Sequence, residues 1–62
     1  MNEAKMIFWM QTHLGFSDIE CRGYIYSARN SGSIILCPII EDYPNGIMLV
    51  YHNNMDEFEI IF

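Results

Sequence analysis

Apolar positions along this chain follow two regimes. From Asn2 to Leu14 they recur at helical spacing, whereas from Ile19 onward they alternate with other residues between clusters of turn formers. The first stretch predicts a helix. Asn2 suits its cap, Glu3 suits the positive end of the helix dipole, and Gly15 suits a stop with Phe16 packing back on the last turn. Ala4, Met6, Ile7, Phe8, Met10 and Leu14 are read onto one broad face, with Lys5, Thr12 and His13 opposite and Trp9 among them. The rival is a buried strand through Met6–Met10, because a short run rich in aromatic residues fits either period.

Turn clusters at Arg29-Asn30-Ser31-Gly32, Glu41 to Gly46 and Asn53 to Asp56 delimit the rest. Between them lie four strand candidates: Ile19–Ala28, Ser33–Ile40, Ile47–His52 and Glu57–Phe62. Ser17-Asp18-Ile19-Glu20 matches a capping box and argues for a second helix. Gly23 and the run Tyr24-Ile25-Tyr26 argue for extended chain, and the expectation follows them. Simple hairpins pair Ala28 with Ser33, Ile40 with Ile47 and His52 with Glu57. Alternation then gathers Ile19, Cys21, Ile25, Ile34, Leu36, Pro38, Ile40, Ile47, Leu49, Tyr51, Phe58, Ile60 and Phe62 on one uncharged face. A slip of one residue would bring Glu57 and Glu59 into it. The expected fold is α+β: residues 1–62 as a single small domain, one N-terminal helix packed on a mainly antiparallel four-stranded meander. Pro38 cannot donate to a ladder, so it predicts a bulge there or a non-sequential strand order.

Composition narrows the setting. A chain of 62 residues that is 52% hydrophobic has room for one core and is not disordered. Two cysteines make no disulfide framework. No stretch approaches the roughly 18 apolar residues of a membrane span, and Met6–Met10 flanked by Glu3 makes a poor secretion signal. A cytoplasmic setting is expected. The charge is lopsided: residues 1–29 balance Glu3, Asp18 and Glu20 against Lys5, Arg22 and Arg29, so the net −5 lies in Glu41, Asp42, Asp56, Glu57 and Glu59. Three basic residues make no track for phosphates, so direct nucleic-acid binding is disfavoured and a basic partner is allowed.

Candidate chemistry is thin. His13, Cys21, Cys37 and His52 lack metal-ligand spacing, and the expected register points the two cysteines to opposite faces. No motif joins a nucleophile to a base, and the lone glycines make no phosphate cradle, so neither enzyme activity nor a cofactor is expected. The informative feature is the second face of the sheet. Tyr24, Tyr26, Ile35, Ile39, Met48 and Val50 form an apolar middle bordered by Glu20, Glu41, Glu57 and Glu59, with Trp9 offering a further anchor on the helix. Apolar surface with a polar rim marks an interaction site. The expected function is a non-catalytic protein-binding module that inhibits or regulates a partner, a role that small acidic proteins of phages and mobile elements also play, by analogy of size and charge alone. The alternatives are a nucleic-acid mimic and a structural homodimer or small subunit.

Overall fold

A computed structural model describes residues 1–37, 39 and 41–62. Among these residues two helices and three strands follow one another: α1 (Glu3–Leu14), α2 (Asp18–Ser31), β1 (Ser33–Cys37), β2 (Ile47–His52) and β3 (Glu57–Ile61). The class is α+β, but with two helices and three antiparallel strands in place of the expected one and four.

The first helix forms as its ends dictate. Asn2 accepts the Lys5 N–H at 2.9 Å, and Gly15, at φ 70°, returns its N–H to the Gln11 carbonyl. Met6 and Met10 are buried, and Ile7, Trp9 and Leu14 pack beside them. Phe8 does not join that face: it stands about 200° round the helix from Met6 and is exposed.

The segment expected as the first strand is the second helix. The Ser17–Glu20 capping box closes in both directions, at 2.9 and 3.1 Å. Cys21, Ile25 and Ala28 are buried at helical spacing, whereas Ile19 is 83% exposed and Tyr26 70%. A spacing of four, Cys21 to Ile25, satisfies a helix and a strand alike; Ile19 and Tyr26 separate them. Gly23 costs the helix about 1 kcal/mol relative to alanine, which a capping box of similar worth offsets. Gly32, at φ 89°, ends α2 and leads into β1 with no hairpin between.

The sheet order is β1-β2-β3. His52 pairs with Glu57 as expected. On the other side Ile47 lies opposite Cys37 rather than Ile40, and Ile34 opposite Leu49. The slip along most of β1 is even, so the side chains keep their faces. A register shift falls between Ile35 and Cys37; the expected bulge residue Pro38, and Ile40, lie outside the described residues. The shift turns Cys37 toward the core, where Cys21 also lies, against the expected opposite placement; both thiols are free.

Both helices pack on one side of the sheet, α2 on β1 and β2 and α1 on β3. Leu36, Ile47, Leu49 and Phe58 meet Met6, Met10, Cys21, Ile25 and Ala28 in one core cluster. Arg29 ties its margin together. Its guanidinium bonds Glu3 at 2.5 Å and Asp56 at 3.2 Å, and lies over the Tyr51 and Phe58 rings. Among the described residues, no helix is long and apolar enough to cross a membrane.

Candidate functional site

The side of the sheet away from the helices is laid out by strand register. Ile35, Met48 and Ile61 stand opposite one another across all three strands. Two residues along, the row is Ser33, Val50 and Glu59; beyond it His52 faces Glu57. Strand alternation projects every one of these away from the core. Ile35 is 65% exposed and Met48 38%, while Val50 is half-buried among its neighbours. The apolar surface is therefore a row at one end of the face, not a centre ringed by acids.

At the β1 end of that row the surface dips into a hollow of about 150 Å³ lined by Ile35, Cys37, Ile39, Asn45, Ile47 and Met48. Its walls are mostly hydrocarbon, and its size suits one large apolar side chain. The opposite corner is acidic. Glu59 bonds His52 at 2.9 Å, and Glu57 meets the Met1 amine at 3.2 Å. Both carboxylates keep about half their surface in water, with side-chain exposures of 56% and 41%. Asp56 belongs to a different group. It accepts from Tyr51 and Arg29, in that order of influence, and both hold its carboxyl below the usual range. Arg29 is correspondingly held more firmly protonated, chiefly by Glu3. Structure thus withdraws Asp56 from the five acids and leaves Glu57 and Glu59 on the outer face.

Ile35, Met48, Val50, Glu57 and Glu59 are brought together on this face, with Ile39 at the hollow. Tyr24 and Tyr26 are not, because their segment is helical. Tyr24 stacks on Phe16 at 5.0 Å beside the core, and Tyr26 points to solvent from α2. Trp9 also lies elsewhere: it stacks on His13 at 4.6 Å and meets Phe62 at 6.1 Å, packed over the core margin. Glu41 is exposed in the loop after β1. Ile61 was missed as a site residue although alternation alone puts it on this face; its place in the row needs the register of both strand pairs.

Among the described residues no group of three His, Cys, Asp or Glu side chains is gathered to hold a metal ion. Burial, with help from Asp18 and Glu20, pushes the Cys21 thiol up, which favours the unreactive thiol over the thiolate. No protein-family model, curated protein or solved structure matches the chain.

Proposed function

We propose that the chain is a non-catalytic protein-binding module that docks on a partner protein through the outer face of its sheet and thereby inhibits or regulates it. One observation carries the reading: both helices lie on one side, so Ile35, Met48 and Ile61 form an apolar row that neither helix covers. A solvated antiparallel face is ordinarily polar. The charge distribution supports a basic partner, since residues 30–62 carry five acids and no Lys or Arg.

Charge favours a foreign partner over a second copy: the outer face carries Glu57 and Glu59 and no Lys or Arg, so a second copy of the face offers those carboxylates neither. Nor do the acids form the long track that a nucleic-acid mimic needs, with Asp56 engaged by Arg29.

A photocrosslinking residue in place of Met48 tests the reading in cells of the native host. A discrete protein adduct is expected there and not from the same residue at Tyr26. Ile35→Ser with Ile61→Ser should abolish it while leaving the circular dichroism spectrum unchanged. Adducts from Tyr26 alone would move docking to the helix layer and overturn the reading.

A further inference from the structure

We infer that the partner element is an amphipathic helix, lying diagonally across the outer face with an apolar end at the hollow and a basic end at the Glu57/Glu59 corner. The inference rests on the docking reading above and adds the partner's chemistry. Its first support is dimensional. An α-helix with its side chains is about 10–12 Å across, so one helix covers most of a face about 14 Å wide. Such a helix would cover the sheet as α1 and α2 cover the other side.

The second support is the polarity of the face along that diagonal. The hollow and the Ile35–Met48–Ile61 row occupy one end, and no charged residue stands in that row. Glu59 and Glu57 occupy the far corner on β3. With strands about 4.8 Å apart and about 3.3 Å per residue, Glu59 lies about 12 Å from Ile35 and Glu57 about 16 Å. At 1.5 Å per residue these spans are about 8 and 11 helical residues. Positions i, i+4, i+8 and i+11 share one face of a helix, so one stripe presents apolar residues to the hollow and row and basic residues to both carboxylates. Arg suits the basic positions because its fork reaches a carboxylate that already holds one partner, as Glu59 holds His52.

The probe is an alanine-based synthetic helix with Leu at i and i+4 and Arg at i+8 and i+11, titrated into the full chain and followed by amide chemical shifts. Shifts should concentrate on Ile35, Met48, Val50, Glu59 and Ile61. Replacing both Arg by Glu should weaken binding about tenfold, the size expected of two rim charge pairs reversed in sign. Glu57→Lys with Glu59→Lys should reverse that preference. Equal binding of the two peptides, or shifts confined to α2, would overturn the inference. So would changes at Ile35, Met48 and Ile61 that grow with the chain's own concentration before peptide is added, which would assign the face to a second copy. A crosslink at Met48 together with equal peptide binding would leave the docking reading standing and remove only the helix.

Discussion

Leu49 and Met48 are consecutive residues of β2, both large and apolar, yet Leu49 is fully buried and Met48 is 38% exposed. The two faces of this sheet differ in both grease and charge. The inner face adds Ile34, Leu36, Ile47, Tyr51, Phe58 and Ile60; the outer adds Ile35, Val50 and Ile61 but also Ser33, His52, Glu57 and Glu59. Burying the two carboxylates under helices without partners would cost several kcal/mol each. Their presence on β3 therefore disfavours helices on that side. The charge on the outer face and the larger apolar area of the inner one favour the same orientation, which leaves Ile35, Met48 and Ile61 outside the helix layer.

Mutation separates the faces most sharply along β2. Leu49→Ala should cost about 2–5 kcal/mol, since it opens a cavity in the shared cluster, whereas Met48→Ser should stay within about 0.5 kcal/mol. Urea unfolding of both variants measures the contrast, and equal losses would mean that the outer face is also packed. A smaller loss, on the order of 1 kcal/mol, is expected for Arg29→Ala, which removes the cation held over Tyr51 and Phe58. The same group contributes to acid sensitivity through Asp56. Asp56 and Glu20 have carboxyls lowered in the folded chain, Asp56 by Tyr51 and Arg29 and Glu20 by Ser17. Their contribution is present above the ordinary carboxylate range and disappears as pH falls through the lowered values. Urea midpoints should drop on acidification, and the drop should shrink in Arg29→Ala. Smallest of all, Gly23→Ala should stabilise by about 0.5–1 kcal/mol, because a helical residue there meets nothing within 4 Å. A loss of stability would contradict the helical assignment of that segment.

How much of this was legible depended on where the two periods agree. In β2 and β3, strict alternation placed every described side chain on its observed face. The β1–β2 register slipped by an even number over Ile34 and Ile35, which spared the faces but hid which residues form rows. From Asp18 to Ser31 the periods conflict. Cys21 and Ile25 fit both, the aromatic-rich Tyr24–Tyr26 run favoured extension, and the Ser17–Glu20 box was the decisive local signal that this weighting overrode. Tyr24 and Tyr26 left the candidate site with that segment. The hollow beside Ile35 had no trace in the pattern, because it arises from the register shift before Cys37 and the return of the chain at Asn45 and Ile47.

Gly32 alone joins the last turn of α2 to the first residue of β1, and its carbonyl already accepts the Tyr51 N–H at 2.8 Å. There is no slack at this seam. A load pressed on β1 from outside is transmitted through one peptide unit to the helix on the far side, so occupying the sheet should slow hydrogen exchange in the closing turn of α2, a layer away from any contact.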